Sequence, residues 1–355
     1  MKKSKNRKYY IIISALAVIS LLIFLLSSNP YIQGSASYPE PFFDSQSEII
    51  ARTPGSRASI GRQDTIWFQG QEFMLNPSLT NILFLGIDQR GEVRPEGGNI
   101  RQSGQADAVM LITLCDSREL AKTLHISRDL MTDIDLYNIA GQVYGSFHGQ
   151  LALQHARGRG GHSSSRAMVS TVSRILYDLP IHHYLALNID SIALLNEVVN
   201  GVTITFEYDY SHIDPDFIIG ETITMTDRQA ERFVQWRDVN IMGSNEDRLD
   251  RQQAYILAFF QSLSNLRSET REAQAQIFES LQQFMITSLS IEDLHGFSNY
   301  GFDDALTKRL PGEIIHLHDE NLAGSYNGIV LSEFHADEVA LQELIISRFF
   351  VRYGE

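Results

Sequence analysis

Three short segments in the first half of the chain are almost uninterrupted runs of apolar residues. They are residues 81–88 (N-I-L-F-L-G-I-D), 107–115 (D-A-V-M-L-I-T-L-C) and 120–127 (L-A-K-T-L-H-I-S). Runs of this length and composition are typical of strands that are covered on both faces of a sheet. Only four polar residues separate the second run from the third, so these two strands are predicted to form a hairpin.

Helical periodicity follows these runs along the chain. Apolar residues recur at helical spacing in 162–179, 247–263 and 337–350, and Thr226 with Gln229 forms a capping box for a helix that ends near Trp236. Residues 203–207 alternate like a further strand. Strands interleaved with helices of this length predict a layered α/β domain rather than a helical bundle or a β-sandwich.

The N-terminus is basic and then apolar. Five basic residues lie within positions 1–8, and residues 9–28 carry no charge. As a helix, the apolar stretch would be about 30 Å long, which matches the hydrocarbon thickness of a bilayer. The basic residues before it place positions 1–8 in the cytoplasm and the rest of the chain outside. We interpret 9–28 as the transmembrane signal anchor of a single-pass type II protein, with a cleaved signal peptide as the alternative.

The remainder of the chain is predicted to contain a stalk, a core and an extension. Residues 29–75 are rich in Ser, Pro, Gly and Gln and lack a sustained period, which indicates an extracellular stalk. Residues 76–263 hold the strand and helix signals of a folded core. Residues 264–355 are predicted to form a C-terminal helical extension packed on that core.

Charge and cysteine content exclude several classes of function. The 355-residue chain carries a net charge of −14 although five of its 29 basic residues lie in the first eight positions. Such an acidic chain is not suited to sequence-independent binding of nucleic acid, and eight cytoplasmic residues are too few for a DNA-binding module. The single cysteine, Cys115, excludes an internal disulfide and a cysteine-based zinc site.

Acidic and basic side chains cluster at the predicted strand ends. Asp88 ends the first strand and Asp107 begins the second, so two carboxylates can meet at one edge of the sheet, where divalent cations find oxygen ligands. The alternative is a pair of solvated turn acids. Arg128 and Asp129 follow the third strand and can face the same edge.

A second group of candidates lies on and before the helix 247–263. Arg237 follows the preceding helix, and Arg248, Arg251 and Gln252 are spaced i, i+3 and i+4, which places them on one helical face. Because a guanidinium presents a fixed fork of donors that matches phosphate oxygens, this row is a candidate clamp for phosphate or pyrophosphate. The alternative is an ion-pair network with the acids of the same helix.

Taken in order behind an N-terminal anchor, these segments resemble the LytR-CpsA-Psr family. The resemblance rests on the three apolar runs, S-R-D at 127–129, I-H-H-Y-L-A-L-N-I-D-S-I at 181–192 and R-L-D-R-Q-Q at 248–253. It implies a three-layer α-β-α sandwich with a mixed central sheet, displayed on the outer face of a bacterial membrane. It also implies a phosphotransferase that moves a glycopolymer, such as teichoic acid or capsule, from undecaprenyl pyrophosphate to peptidoglycan.

The resemblance also implies a role for each site residue. Asp88 and Asp107 would hold Mg²⁺ (or Mn²⁺). The pyrophosphate would be bound by Arg128, Arg237, Arg248, Arg251 and Gln252. Arg128 and Arg237 would be catalytic, with Asp129 either orienting Arg128 or accepting the proton of the attacking hydroxyl. The implied partners are a polyprenyl-pyrophosphate-linked glycan, a peptidoglycan acceptor and the bilayer around 9–28.

One departure from the family pattern bears on activity. Gln235 stands where the family usually has the first arginine of R-x-R. A charged hydrogen bond to phosphate contributes about 1.5–3 kcal/mol, so the loss is serious unless another cation replaces it. Arg157 or Arg159, in a Gly-rich loop, is the hypothetical replacement.

Two functions therefore stay open: the transferase, and a non-catalytic envelope scaffold or sensor that binds polyprenyl phosphate. The retained carboxylates and arginines favour the enzyme.

Overall fold

The computed structural model describes residues 65–93, 103–237, 244–265, 278–290, 293, 300–318 and 330–353. The predicted anchor at 9–28 and most of the predicted stalk lie outside these residues. Among the helices that the structure describes, none is long and apolar enough to cross a membrane.

The first seven described elements are strands, and helices are interspersed among the later strands. The strands are β1 (Thr65–Phe68), β2 (Gln71–Leu75), β3 (Leu79–Ile87), β4 (Ala106–Cys115), β5 (Leu120–Ile126), β6 (Met131–Tyr137), β7 (Val143–Gln150), β8 (His183–Asn188), β9 (Thr203–Thr205), β10 (Thr222–Thr224), β11 (Met285–Thr287), β12 (Gly301–Arg309), β13 (Gly312–His318), β14 (Val330–Ala336) and β15 (Phe350–Arg352). The helices are α1 (Ala152–Arg157), α2 (Gly161–Ile175), α3 (Ser191–Val198), α4 (Asp227–Gln235), α5 (Ser244–Asn265) and α6 (Glu338–Phe349).

A mixed six-stranded sheet forms the centre of the fold, with the strand order β11-β8-β3-β4-β5-β12. β8 runs parallel to β3 and β12 runs parallel to β5, while the other three pairs are antiparallel. The predicted hairpin is confirmed as β4–β5, and the predicted α/β fold with a mixed sheet is confirmed as well.

Helices cover both faces of this sheet because its strands are apolar on both sides. Leu83 and Leu85 of β3 face a core that includes Met168 of α2 and Ile345 of α6. Alternate residues of the same strands pack on the opposite face against Ile256 of α5. The sheet therefore lies between two helical layers. Helices cover its faces, and the ends of its strands are left exposed.

A smaller cluster of aromatic residues forms beside the sheet. Phe206, Phe217 and Phe233 pack together between the β9–β10 hairpin and the helices α3, α4 and α5. The predicted capping box begins α4, because Thr226 accepts a hydrogen bond from the backbone N–H of Gln229 and the Gln229 side chain accepts one in return. The capping box thereby fixes the first turn of α4.

The structure corrects two of the predicted domain boundaries. The described part of 264–355 is not a helical extension, since β11 and β12 are the edge strands of the central sheet and β13–β14 form a hairpin. β1 and β2 lie within the predicted stalk, and β2 pairs with β15 near the end of the chain. β11, β12 and β15 are paired with strands far away in sequence, which local periodicity does not register, whereas β1–β2 and β13–β14 are hairpins that the sequence analysis did not recognise.

Candidate functional site

A β-bulge at the end of the β3–β4 pair displays Asp107. The register shifts between Gly86 and Ile87 of β3, and Asp107 is the residue of β4 that has no opposite partner. A bulge bends its strand and changes the direction of the extra side chain, and bulges are frequent next to functional sites. The direction of the Asp107 carboxylate therefore follows from backbone pairing that the sequence alone does not reveal.

Two arginines from different elements converge on this carboxylate. Arg128, which follows β5, donates from Nη1 to Asp107 Oδ1. Arg248, in α5, donates from Nη1 to Asp107 Oδ2 over 2.9 Å. The side chains of Asp107, Arg128 and Arg248 are only 16%, 12% and 10% exposed. The structure thus brings together three residues that were predicted to share one site, and it packs them in a partly buried position.

The Arg128 guanidinium is held on its other sides as well. Its Nη2 donates to Gln105 Oε1 over 2.6 Å, and its Nε lies 3.5 Å from Asp129 Oδ1. Asp129 is buried and accepts a further hydrogen bond from Gln150 Nε2 over 3.1 Å. Sequence reasoning missed both glutamines, since Gln105 stands two residues before Asp107 and Gln150 ends β7, and neither position carries a motif.

Electrostatic coupling extends the cluster to Arg237. Burial lowers the pKa of Arg248, and the neighbouring charge of Asp107 opposes this effect. The like charges of Arg128 and Arg237 lower the pKa of Arg248 further, which places all three guanidiniums in one electrostatic environment. An arginine stays protonated under these conditions, so the cluster concentrates positive charge that an anion would relieve.

Asp88 lies at the same edge, directly after β3, and its side chain is exposed. Its backbone N–H donates to the carbonyl of Gln105 over 2.9 Å, which ties the ends of β3 and β4 together. Gly104 makes this approach possible: its φ is +68°, and a Cβ there would lie 2.8 Å from Ile87 Cγ2 and 2.9 Å from the Asp88 carbonyl oxygen. Asp88 and Asp107 thus flank one short junction.

The two carboxylates at this junction fit only one of the usual ways in which proteins bind a metal ion. Within the described ranges, no group of three or more His, Cys, Asp or Glu side chains could hold a metal ion. Two carboxylates are insufficient for an all-protein cage, but Mg²⁺ is commonly held by one or two carboxylates together with waters and substrate phosphates. Asp88 and Asp107 match that second pattern.

The structure does not bring Arg251 to the cluster, although it shares a helical face with Arg248. Arg251 is fully buried, donates to the backbone carbonyl oxygens of Phe233 and Trp236, and pairs with Asp247 at 3.2 Å. Its guanidinium also lies 5.8 Å from the Phe233 ring centroid. These contacts hold the end of α4 against α5, so the predicted pyrophosphate contact of Arg251 is replaced by a structural role.

Gln252 is one turn beyond Arg248 on α5 and is 7% exposed. One hydrogen of its side-chain amide is donated to the backbone carbonyl of Val234 over 3.3 Å. A side-chain amide has a second N–H, and donation of that hydrogen to a ligand stays a prediction for Gln252.

A cation that sequence reasoning did not consider contacts Gln235. Arg90, two residues after Asp88, donates from Nη2 to Gln235 Oε1 over 3.3 Å and pairs with Asp190 and Glu231. Of the two hypothetical replacements, Arg157 lies 5.8 Å from the Phe147 ring centroid, on the β6–β7 side of the fold.

Comparison with known proteins identifies relatives of this chain. The model of the LytR_cpsA_psr family matches residues 55–331. A protein named polyisoprenyl-teichoic acid–peptidoglycan teichoic acid transferase TagU, from Halalkalibacterium halodurans, is 24% identical over 221 residues, which are 62% of this chain and 64% of that protein. The protein of the same name from Bacillus cereus is 29% identical over 163 residues, 46% of each chain. The alignment therefore spans less than two thirds of the length of either relative.

Solved structures agree on the fold. The crystal structure of B. subtilis TagU superposes with a TM-score of 0.52 at 17% identity, covering 76% of this chain and 95% of that one. At this identity the likeness concerns the α/β fold with its mixed sheet. The family match, in contrast, covers most of the chain and includes Asp88, Asp107 and every arginine of the cluster. The chain belongs to the LytR_cpsA_psr family.

Proposed function

We propose that this protein is a phosphotransferase that moves a glycopolymer phosphate from an undecaprenyl-pyrophosphate-linked precursor to peptidoglycan, assisted by Mg²⁺. The observation that carries the proposal is the convergence of Arg128 and Arg248 on Asp107 at an exposed sheet edge. The names of the H. halodurans and B. cereus relatives describe transfer of a polyisoprenyl-linked teichoic acid to peptidoglycan, which supports the same class of donor and acceptor here.

The arginines are the pyrophosphate-binding groups in this proposal. Arg128 and Arg248 each hold one oxygen of Asp107, and two pyrophosphate oxygens can replace that carboxylate as acceptors of the same N–H groups. Arg237 adds a third positive charge beside Arg248. Each charged hydrogen bond to phosphate contributes about 1.5–3 kcal/mol, so three guanidiniums are sufficient to bind and stabilise the reacting group.

The transfer is a substitution at the phosphorus atom that carries the glycan. The oxygen of a peptidoglycan hydroxyl forms a bond to that phosphorus, the bond to the bridging oxygen breaks, polyprenyl phosphate leaves, and the hydroxyl proton is released to water at the exposed edge. The protein contributes mainly position and charge, as is usual for phosphoryl transfer. Arg128 and Arg248 neutralise the charge on the phosphate oxygens, and Asp129 orients Arg128 rather than accepting the proton, because it is buried and already accepts hydrogen bonds.

Asp88 and Asp107 are the carboxylates that would hold Mg²⁺ (or Mn²⁺) beside the pyrophosphate. A bound divalent ion would supply further positive charge to the phosphate oxygens. Asp107 would then have two alternative partners. It pairs with the arginines when no substrate is bound, and it would pair with the ion when pyrophosphate takes its place on the arginines.

The proposal includes the location of the protein. The basic segment 1–8 and the apolar segment 9–28 support a single-pass type II anchor, with the transferase part on the outer side of the cell membrane. Peptidoglycan lies on that side, so this topology brings the anchored donor lipid and the acceptor to the same surface.

A transfer assay tests the proposal. The full chain in detergent micelles is incubated with a short-chain polyprenyl pyrophosphate glycan and peptidoglycan fragments, with MgCl₂ or with EDTA. We expect release of polyprenyl phosphate together with glycan-linked peptidoglycan, in MgCl₂ only. Arg128→Ala and Asp88→Asn should reduce turnover by at least about 100-fold. The matched control is Arg228→Ala, because Arg228 is an exposed arginine of α4 outside the cluster.

Two results would contradict the transferase. Turnover that Arg128→Ala leaves unchanged would mean that this cluster is not the active site. Binding of the lipid pyrophosphate without any turnover, in Mg²⁺ or Mn²⁺, would indicate the alternative function. The protein would then be a scaffold or sensor that keeps the fold but has lost activity, because Gln235 stands in place of the family's arginine.

A further inference from the structure

We propose that Gln150 is a positioning residue: it holds Asp129, and through Asp129 the Arg128 guanidinium, in the orientation that the transfer requires, with the β13–β14 hairpin as its anchor. The inference deepens the proposed function and rests on it for its kinetic test. It gives the C-terminal part of the fold a role at the site. The carbonyl that Gln150 contacts belongs to Ser332, which is 182 residues later in the sequence.

Gln150 makes two hydrogen bonds through one amide nitrogen. Its Nε2 donates to Asp129 Oδ1 over 3.1 Å and to the backbone carbonyl of Ser332 over 2.8 Å. A side-chain amide has two N–H groups, so both are used and the amide plane is fixed by two acceptors on different elements. The orientation of the Gln150 amide is therefore unambiguous, because a flipped amide would direct an oxygen at two other oxygens.

The hairpin that supplies the Ser332 carbonyl is itself attached to the Arg128–Asp129 segment. The backbone N–H of Phe334 donates to the Asp129 carbonyl over 2.9 Å, and Phe334 forms an isolated parallel bridge with Leu130. The Phe334 side chain packs against the main hydrophobic core. Ser332 thus lies on a strand that is fixed both by backbone hydrogen bonds and by packing.

The consequence for Arg128 follows from the burial of Asp129. Asp129 is 5% exposed, and a carboxylate in that position needs donors to remain ionised in a defined orientation. Gln150 donates to the same oxygen that lies 3.5 Å from Arg128 Nε. Arg128 therefore donates hydrogen bonds to Asp107 and Gln105, and on its Nε side, which makes no hydrogen bond within the described residues, it is held by the ion pair with Asp129 at 3.5 Å. Loss of the last support frees the Nε side of the guanidinium to rotate.

The backbone pairing at position 150 does not depend on the Gln150 amide. Gln150 is half-buried at the end of β7, and its backbone pairs with Met131 of β6 whatever its side chain is. Substitutions at this position are therefore expected to fold. Within the described part of the chain, the Gln150 amide contacts the charged group of Asp129, Arg128 lies beside Asp129, and Asp133 and His148 lie two residues away on the same face of the β6–β7 hairpin.

The first test replaces the amide by an isosteric acid. In Gln150→Glu, a protonated Glu donates one hydrogen bond to Asp129, whereas an ionised Glu repels Asp129 and the Ser332 carbonyl. We expect kcat of Gln150→Glu to match the unmodified protein within about threefold at pH 5 and to fall by about 30-fold at pH 8, with KM changing much less. Gln71→Glu, at an exposed position of β2, is the matched control and should follow the unmodified protein at both pH values.

The second test does not depend on turnover. The ¹⁵N NMR signal of Arg128 Nε–H, assigned by its loss in Arg128→Lys, is compared between the unmodified protein, Gln150→Glu and Gln150→Leu, with thermal unfolding as the check on folding. We expect the signal to shift and broaden in Gln150→Leu, and in Gln150→Glu at pH 8 only.

The outcomes separate the positioning role from the proposed function. Normal turnover of the unmodified protein, together with an unchanged pH profile in Gln150→Glu and an unmoved Arg128 signal, would overturn the positioning role and leave the transferase intact. If the unmodified protein shows no turnover, the transferase fails, and the Arg128 signal alone decides: a shift in Gln150→Leu supports the positioning role, and no shift overturns it.

Discussion

Arg248 donates from Nη1 to Asp107 Oδ2 over 2.9 Å, and this contact joins a helix to a strand end that lies 141 residues earlier in the sequence. Asp107 is thereby the counter-charge of the arginine cluster, because its other oxygen accepts from Arg128. Under the proposed function, a pyrophosphate would compete with Asp107 for the same donors. We therefore expect this one carboxylate to affect both the affinity for anions and the stability of the protein.

The first prediction concerns Asp107→Asn. Removing this charge leaves Arg128 and Arg248 without their carboxylate, so metal-free binding of inorganic pyrophosphate should tighten by about tenfold. The same change should destabilise the protein by up to about 3 kcal/mol and abolish Mg²⁺-dependent turnover. Calorimetric titration in EDTA, urea unfolding and the transfer assay measure the three effects. Weaker pyrophosphate binding in EDTA would contradict the role of Asp107 as counter-charge.

The second prediction separates two arginines of the same helical face. Arg251→Met removes the hydrogen-bond donors to the carbonyl oxygens of Phe233 and Trp236, so it should lower the free energy of unfolding by about 3–5 kcal/mol. Arg248→Lys keeps a positive charge and should cost much less stability, but it should reduce turnover by at least about 100-fold. Urea unfolding and turnover of both variants provide the comparison. Equal losses of stability in the two would refute the distinction.

The contrast between these arginines shows what the sequence can and cannot predict. Spacing of i, i+3 and i+4 correctly places Arg248, Arg251 and Gln252 along one side of α5. The hydrogen-bond partners of each side chain depend on the element that packs against it. That element is the start of β4 for Arg248 and the end of α4 for Arg251. That difference arises from tertiary packing, which helical periodicity does not contain.

The same limit applies to the fold. The β4–β5 hairpin and the capping box of α4 were predictable because their signals are local. The strands β11, β12 and β15 were not, since each is paired with a strand far away in sequence. The bulge at Asp107 is a feature of the pairing itself, so the acid was predictable as a candidate while its direction was not.

The third prediction concerns the backbone next to Asp88. In Gly104→Ala, the new Cβ would meet Ile87 Cγ2 at 2.8 Å and the Asp88 carbonyl oxygen at 2.9 Å, so the junction that carries both acids must move. We expect turnover to fall by about tenfold and the Mg²⁺ concentration for half-maximal activity to rise. Gly70→Ala is the matched control, because Gly70 also has a positive φ, of +78°, but open space around its Cβ position. A similar loss in both variants would assign the effect to backbone strain alone.

The fourth prediction concerns the dependence of stability on pH. Burial lowers the pKa of His155 to about 4, although hydrogen bonds to the backbone of Gly104 and Ser103 oppose this effect. The fold therefore favours neutral His155, and its contribution is complete above the unfolded pKa of about 6.5 and is lost as the pH falls towards 4. The loss attributable to His155 is up to about 3 kcal/mol.

His155→Gln tests this contribution, because glutamine keeps an N–H donor for the Gly104 carbonyl but does not titrate. Urea unfolding between pH 7 and pH 4 should show a flatter fall in stability for His155→Gln than for the unmodified protein. Parallel curves for the two proteins would show that protonation of His155 is not what destabilises the fold in acid.

The most direct test of the central claim is a crystal structure of the protein soaked with a short-chain polyprenyl pyrophosphate and MgCl₂. We predict that the pyrophosphate oxygens accept hydrogen bonds from Arg128 and Arg248, that Arg237 lies beside them, and that Asp107 has turned from the arginines to the ion that it shares with Asp88. A pyrophosphate bound elsewhere, with both arginines still paired to Asp107, would contradict the account.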